Sequence, residues 1–143
     1  MARGNVNEVV EALAKVDLFE SLSQKQLKVL AGECREQTHA AGATIVADGE
    51  TSARFYLITK GTADVKVNGR KRVELSPGQY FGEIAVLDKG PRTAAVIAST
   101  DCATLSLAPF NMRAALRENP DMALRLLVAV CGRLRQADKA LTS

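Results

Sequence analysis

The sequence predicts an α+β fold, mainly β, in which a small β-roll or jelly-roll-like barrel lies between N-terminal and C-terminal helices. Hydrophobic residues recur at helical spacing near both ends of the chain. Between these ends, from about residue 35, short β-branched stretches alternate with glycine turns. Short strands spaced by about 8–12 residues are typical of small barrels and rolls. The length of 143 residues fits one domain.

We expect this single domain, residues 1–143, to have three parts: N-terminal helices at 1–34, a β-roll at 35–107 and C-terminal helices at 108–143. In the first part, hydrophobic residues at helical spacing predict a helix from Val6 to Val16. Ser23 and Gln26 have the spacing of a capping box, which predicts the start of a second helix.

Turn signals divide the middle of the chain into short strands. The turn dipeptides are Asp48-Gly49, Lys60-Gly61, Asn68-Gly69 and Pro77-Gly78. The strands predicted around them cover residues 44–46, 55–59, 63–67, 72–75, 94–97 and 103–105. The Asn-Gly pair lies between two alternating stretches and is the strongest hairpin signal in the chain.

Proline residues mark the starts of two helices in the last third of the chain. Pro109 suits the first turn of one helix, and Asn119 followed by Pro120 suits the N-cap and N1 positions of another. This last helix is expected to run to about Ala140. Its hydrophobic residues follow a period near 3.5 and are Leu127, Val130, Leu134, Ala137 and Leu141.

Composition excludes several classes of protein. The formal net charge of +3 is small for a dedicated nucleic-acid binder, so no direct DNA binding by this chain is expected. No run of about 18 apolar residues occurs, so no membrane span is expected. The N-terminal residues have no apolar signal core, and the expected location is therefore cytoplasmic.

Cysteine and histidine usage argues against a metal site. Cys34, Cys102 and Cys131 are far apart, and His39 is the only histidine, so no zinc ligand set is present in the sequence. We interpret the cysteines as buried or partly buried thiols in a reducing compartment. His39 stands in a polar stretch without a nucleophile beside it, and we interpret it as a strand residue.

The segment from Phe81 to Ala94 carries the chemistry. Gly82 allows a turn and a close approach to a ligand, and residues 83–87 can form a short helix. The first amides of this helix, at Ile84 and Ala85, have no acceptor within it and can bind an anion. Arg92 follows in a loop stiffened by a proline, and its planar guanidinium suits phosphate oxygens.

Glu83 restricts the kind of ligand. A carboxylate beside a phosphate site is repelled by it, unless the same ligand donates a hydrogen bond, as a ribose hydroxyl does. One arginine and a few amides match a phosphodiester better than a triphosphate, and the chain has no GxxxxGK[ST] loop for ATP. A ligand with one phosphate and one adjacent free hydroxyl is a 3′,5′-cyclic nucleotide.

This segment resembles the phosphate-binding cassette of the cyclic nucleotide-binding domain family, which includes bacterial cAMP receptor proteins, protein kinase regulatory subunits and cyclic nucleotide-gated channels. The Phe-Gly-Glu-Ile-Ala start and the Pro-Arg-Thr-Ala end together make the resemblance specific. It extends over nearly the whole chain, because the stretch 18–23 is similar to the helical lead-in of the family. Gly49, Gly61 and Pro77-Gly78 also fall at its expected turns.

The resemblance implies a role for each residue of the cassette, which spans residues 81–93. Glu83 would hold the ribose 2′-hydroxyl, and Arg92 would bind the exocyclic phosphate oxygens. The other implied ligand contacts are backbone amides of Gly82, Ile84 and Ala85 at the sugar-phosphate, Thr93 near the base or phosphate, and Val65 against the base. A hydroxyl after the arginine occurs in cAMP and cGMP binders alike, and one such contact contributes only about 0.5–1.5 kcal/mol. We favour cAMP over cGMP as the ligand.

The sequence leaves the role of the last helix open. Its hydrophobic seam either packs on the roll of the same chain or, as the resemblance suggests, forms a dimer helix or a lid over the bound base. We expect that helix packing changes on ligand binding, and that the protein has no enzyme activity and signals through a protein effector that the sequence does not identify.

Three other functions remain as alternatives. One is an interaction module of the same fold without a ligand, and another is the sensor portion of a cAMP-responsive transcription regulator. No helix-turn-helix, kinase or channel segment follows Ser143, so we expect either a stand-alone sensor or a portion of a larger protein. An enzyme acting on cyclic nucleotides is the weakest alternative, because no metal-ligand cluster or general base is recognisable.

Overall fold

The computed structural model describes residues 6–142, so the ends of the expected domain, residues 1–5 and 143, lie outside the described part. The helices are α1 (Val6–Ala14), α2 (Gln24–Glu33), α3 (Glu83–Asp88), α4 (Pro109–Glu118) and α5 (Pro120–Thr142), with a 3-10 helix at Asp17–Phe19. The strands are β1 (Arg35–His39), β2 (Thr44–Val46), β3 (Phe55–Lys60), β4 (Ala63–Val67), β5 (Arg70–Leu75), β6 (Tyr80–Phe81), β7 (Ala95–Ala98) and β8 (Cys102–Leu107). Each predicted strand and helix is present, with bounds that shift by a few residues.

The strands form two four-stranded antiparallel sheets, with orders β1-β8-β3-β6 and β2-β7-β4-β5. The predicted hairpin at Asn68-Gly69 joins β4 and β5, and both turn residues have positive φ. Helices precede and follow the roll. The predicted α+β fold, mainly β, with a roll between two helical ends, is confirmed.

Strand β3 shows why an unbroken apolar run belongs in this sheet. Phe55 and Leu57 pack in a core shared with the helices, whereas Tyr56 and Ile58 pack inside the roll. Successive side chains of a strand point to opposite faces, so a strand between two cores must be apolar at every position. The sheet β1-β8-β3-β6 therefore separates the helical layer from the interior of the roll.

The helix starts follow the predicted capping residues. Ser23 and Gln26 exchange both bonds of the capping box, at 3.1 and 2.8 Å. The Asn119 side chain accepts a 3.0 Å bond from the amide of Met122, as expected of an N-cap. Helix α1 ends at Ala14 rather than at Val16, because Val16 is extended at the start of the 3-10 helix.

The thiols and the histidine differ in how well they match expectation. His39 is a β1 residue, as predicted, and its Nε2 lies 3.0 Å from the Thr104 hydroxyl. Cys34 is partly buried and Cys102 is buried, and burial raises the pKa of the Cys34 thiol to about 12. Cys131 is exposed, so the prediction of a buried or partly buried thiol is wrong there. It lies on the side of α5 that faces away from the protein core.

The first half of α5 packs on the hydrophobic core, and the second half contacts the protein through polar side chains such as Arg133. Met122 and Leu126 are fully buried, and Val130 is partly buried. Within the predicted seam, Val130 packs against the core of the same chain, whereas Leu127 and Leu134 are 54% and 60% exposed. The core-facing residues Met122, Leu126 and Val130 therefore share only Val130 with the seam.

Candidate functional site

A cleft of about 590 Å³ lies where the cassette, strands β4 and β5, and helix α5 meet. The roll contributes an apolar wall that includes Val65, Val73 and Val96. These valines are neighbours, because Val65 pairs with Val73 on one side and with Val96 on the other. The volume lies in the range of small-molecule sites, about 300–1,000 Å³.

Gly82 is required by both its conformation and its surroundings. Its φ of 93° lies in the left-handed region, where side chains are strained. A Cβ at this position would lie 2.5 Å from the Arg54 carbonyl oxygen and 2.8 Å from Nη1 of Arg92. The turn therefore brings the backbone that begins α3 directly against the guanidinium of Arg92.

Arg92 is a buried cation, only 7% exposed, at the floor of the cleft. Its Nε and Nη2 donate to the carbonyls of Ser52 and Arg54, at 3.0 and 2.6 Å. Burial lowers the pKa of Arg92, opposed by Tyr56, Glu50 and Glu83. In the described part of the chain Arg92 has no ion pair; its guanidinium donates to neutral carbonyls and lies 5.9 Å from the centre of the Tyr56 ring. Such a cation favours an anion in the cleft.

Two backbone bonds fix the loop that presents Arg92. Its amide donates to the carbonyl of Glu50 at 2.9 Å, and its carbonyl accepts from Gly49 at 2.8 Å. The predicted turn at Asp48-Gly49 thus holds the end of the cassette. On the other side of α3, Nη1 of Arg113 donates to the Val86 carbonyl at 2.7 Å and joins α3 to helix α4.

Glu83 lies in the first turn of α3 and is 3% exposed. Its Oε1 accepts a hydrogen bond and ion pair from Arg133 of α5. Its Oε2 is buried and has no hydrogen-bond partner among the described residues. An unpartnered buried carboxylate oxygen is costly, and a hydroxyl donor from a ligand would satisfy it.

The remaining predicted site residues also line this cleft. Ala85 is buried, whereas Ile84 is half exposed and Thr93 is exposed. The amides of Ile84 and Ala85 belong to the first turn of α3, where no earlier helical carbonyl can accept from them. The structure therefore brings all seven predicted residues into one cleft: Val65, Gly82, Glu83, Ile84, Ala85, Arg92 and Thr93.

Sequence reasoning missed the residues that α5 and β5 add to the cleft. Arg133 and Gln136 reach it from α5, and Arg72 reaches it from β5. Arg133 also donates to the Tyr80 carbonyl at 3.2 Å and lies over the Tyr80 ring. A signal was available for Arg133, because it follows Met122 and Leu126 on the core-facing stripe of the helix, where a charged residue is unexpected.

Within residues 6–142, no group of three or more histidine, cysteine or acidic side chains could hold a metal ion. No helix within this range is both long enough and apolar enough to cross a bilayer.

Comparison with known proteins agrees with the geometry of the cleft. The model of the cyclic nucleotide-binding domain matches residues 36–119, which is more than half of the chain. This chain belongs to the cyclic nucleotide-binding domain family. The matched range includes the whole roll from Glu36 onward, the cassette and helix α4.

Two curated relatives illustrate how widely this domain is used. The human potassium/sodium hyperpolarization-activated cyclic nucleotide-gated channel 1 is 34% identical over 110 residues, which are 77% of this chain and 12% of the channel. The cAMP-dependent protein kinase regulatory subunit of Colletotrichum orbiculare is 35% identical over 97 residues, which are 66% of this chain and 25% of the subunit. The chain therefore spans only a small part of either relative.

Solved structures give the same fold. The catabolite activator protein of Thermus thermophilus superposes with a TM-score of 0.77 at 29% identity, over 87% of this chain and 61% of the activator. The cAMP-bound regulatory domain of the Toxoplasma gondii kinase also has a TM-score of 0.77, at 24% identity, over 87% of this chain and 49% of that domain. The second likeness, at its lower identity, shows the fold alone.

Proposed function

We propose that this chain is a cyclic nucleotide sensor that binds cAMP in preference to cGMP and has no catalytic activity of its own. One observation carries the proposal: in a single cleft, a buried arginine lacks an ion-pair partner within residues 6–142, and a buried glutamate lacks a partner for one oxygen. A cyclic nucleotide supplies both missing partners, an anionic phosphate and a ribose hydroxyl.

The site residues bind the two ends of the sugar-phosphate in this proposal. Arg92 binds the exocyclic phosphate oxygens, and the amides of Gly82, Ile84 and Ala85 assist. Glu83 accepts the ribose 2′-hydroxyl at Oε2, since Oε1 already bonds Arg133. The base then lies against Val65 on the apolar wall, with Thr93 between base and phosphate.

Two features support a preference for cAMP. Gln136 can pair with adenine, and the contact of Thr93 that would favour cGMP is weak. The Gln136 amide carries a donor and an acceptor at the cleft, the pattern that pairs with the N6 and N7 positions of adenine. Thr93 can reach the 2-amino group of guanine, but one neutral hydrogen bond contributes only about 0.5–1.5 kcal/mol.

Helix α5 is the output element of the proposed sensor. It is attached to the roll through Met122 and Leu126, and it contacts the cleft through Arg133. Ligand binding changes the packing of its second half, because a filled cleft provides new surface for that half to cover. The exposed seam at Leu127 and Leu134 then serves a homodimer or a protein effector, and the proposal includes no DNA contact by this chain.

A cytoplasmic location is part of the proposal. The three cysteines of the chain, at positions 34, 102 and 131, are free thiols. Unpaired thiols are the usual state in a reducing compartment.

The thermal midpoint of unfolding with and without ligand tests the proposal. A ligand that binds only the native state raises the free energy of unfolding by about 2.7 kcal/mol when its concentration is a hundred times its Kd. We expect cAMP to raise the midpoint by several degrees and cGMP to raise it less at equal concentration, with 5′-AMP as the control lacking a cyclic phosphodiester. If neither saturating cAMP nor saturating cGMP shifts the midpoint, the alternative is favoured, in which the chain is an interaction module of the same fold that binds no ligand.

A further inference from the structure

Tyr56 of strand β3 contacts both ends of the cassette from the interior of the roll. Its side chain is buried, and its ring stacks on the ring of Phe81, with centroids 4.9 Å apart and planes 5° from parallel. The guanidinium carbon of Arg92 lies over the same Tyr56 ring, 5.9 Å from its centroid. Phe81 begins the cassette and Arg92 lies near its end, so one side chain outside the cassette joins its two ends.

Strand pairing explains the position of Tyr56. It pairs with Phe81 between β3 and β6, and directly opposed residues of an antiparallel pair project to the same face. That face is the interior of the roll, where both residues belong to one buried cluster. Phe81 precedes Gly82, whose Cβ, if present, would lie 2.8 Å from Nη1 of Arg92. The stack on Tyr56 therefore fixes the residue next to the closest approach of backbone and guanidinium.

The carbonyl bonds of Arg92 leave one motion of its guanidinium unrestrained. Nε and Nη2 donate to the carbonyls of Ser52 and Arg54, and these two bonds fix one edge of the planar group. Two bonds along one edge still permit the plane to tilt about that edge. The ring face of Tyr56 opposes this tilt, because a guanidinium is attracted to an aromatic face, most strongly where both are shielded from water.

We propose that Tyr56 is a positioning residue for nucleotide binding: its ring holds the plane of Arg92 so that the remaining N–H groups face the phosphate. Nη1 and the second N–H of Nη2 are the donors left for an anion once the two carbonyls are bound. Without the ring, the guanidinium must be ordered when the ligand arrives, and that cost lowers affinity. This inference rests on the proposed function. Tyr56 does not line the cleft, so it acts through Arg92.

Calorimetric titration of substituted proteins with cAMP tests this role. For Tyr56→Leu, which removes the ring, we expect the Kd to rise about five- to tenfold. Tyr56→Phe keeps the ring and should change the Kd less than about twofold. In an Arg92→Leu background there is no cation to hold, so Tyr56→Leu should cause no further loss. An equal loss in both backgrounds would mean that Tyr56 does not act through Arg92.

Ring fluorination separates attraction for the cation from packing. Phenylalanine analogues with one, two or three ring fluorines at position 56 nearly keep the shape of the ring but withdraw electron density from its face. The Kd for cAMP should therefore rise stepwise with the number of fluorines. The thermal midpoint of the free protein should stay near that of Tyr56→Phe, because the stack on Phe81 remains. A constant Kd across the series would overturn the inference.

Phe19→Leu is the matched control for Tyr56→Leu. Phe19 is also a fully buried aromatic residue, but it packs in the helical core and does not line the cleft. Phe19→Leu should lower the thermal midpoint of the free protein and leave the Kd for cAMP unchanged. If Phe19→Leu and Tyr56→Leu raise the Kd equally, affinity follows general stability, and the positioning role is wrong.

Failure of this inference is distinguishable from failure of the proposed function. If the unaltered protein binds neither cAMP nor cGMP, the proposed function fails and the role of Tyr56 fails with it. If the protein binds cAMP and Arg92→Leu weakens binding but Tyr56→Leu does not, only the positioning role is wrong.

Discussion

The cleft has two walls that differ in how they are held. On the roll side, Gly82, Glu83 and Arg92 are fixed by backbone turns, buried contacts and bonds to carbonyls. On the helix side, the second half of α5 is exposed from residue 131 to 139, and it reaches the cleft through Gln136 and the partly exposed Arg133.

This difference separates recognition from response. A wall whose groups are already oriented loses little conformational entropy when a ligand arrives, so it determines affinity. A helix whose second half is largely exposed buries little surface there, so the free-energy difference between its packed and unpacked states is small and one ligand can shift it. Substitutions on the roll wall should therefore have the larger effects on affinity for the nucleotide. Substitutions on α5 should have the larger effects on the protection of backbone amides from hydrogen exchange.

Substitution of Arg92 should have the largest effect. Arg92→Leu removes the partner of the phosphate, and truncating one member of a buried, hydrogen-bonded charge pair costs about 2–5 kcal/mol. We expect the Kd for cAMP to rise by about two to three orders of magnitude in calorimetric titration.

Arg54→Leu is a matched control for Arg92→Leu. Arg54 is partly buried and, like Arg92, donates to a backbone carbonyl, but its guanidinium donates only to Ser106, away from the cleft. Arg54→Leu should lower the thermal midpoint of the free protein without a comparable loss of cAMP affinity. Equal losses of affinity in both variants would mean that Arg92 acts through folding rather than through the phosphate.

Substitution of Glu83 should have the next largest effect and should change selectivity for the sugar. A hydrogen bond to a charged group contributes about 1.5–3 kcal/mol, so Glu83→Ala should raise the Kd for cAMP about ten- to a hundredfold. It should also remove the preference for cAMP over its 2′-deoxy analogue. If both nucleotides weaken equally, the carboxylate does not bind the hydroxyl.

The sequence was sufficient for local features such as helix caps and turns and insufficient for the contacts between distant segments. Ser23, Asn119 and the Asn68-Gly69 turn act through neighbours within a few residues, which sequence spacing reveals. Pairing Glu83 with Arg133 depends on how α5 crosses the roll, and no local pattern specifies that crossing angle. The bulge that leaves Arg72 of β5 without a partner in β4 likewise depends on register between two strands, which the alternation of residues in β5 does not reveal.

Substitution of Arg133 should have a moderate effect on affinity and a distinct effect on α5. Its ion pair with Glu83 is partly exposed and therefore partly screened, so we expect Arg133→Met to raise the Kd for cAMP only about three- to tenfold. Hydrogen exchange should show that cAMP protects both the cassette and residues 119–141 in the unaltered protein. In Arg133→Met, protection should persist at residues 81–93 and decrease along α5.

Arg135→Met is the control for Arg133→Met. Arg135 lies on the same helix, is exposed and does not line the cleft. Arg135→Met should leave both the Kd for cAMP and the hydrogen exchange of α5 unchanged. If cAMP protects the cassette alone in the unaltered protein, α5 is not the output element, and the signal leaves through α3 or the N-terminal helices.

The smallest effect on affinity should come from the exposed seam of α5. Leu134 is 60% exposed and faces away from the cleft, so Leu134→Glu should change the Kd for cAMP less than about twofold. Its effect should appear in assembly, because a charge on a heptad seam disfavours pairing of two such helices. We expect sedimentation to show a ligand-dependent dimer for the unaltered chain and a monomer for Leu134→Glu. A monomer in both proteins, with and without cAMP, would assign the seam to an effector of different sequence and would leave the contrast between the two walls unchanged.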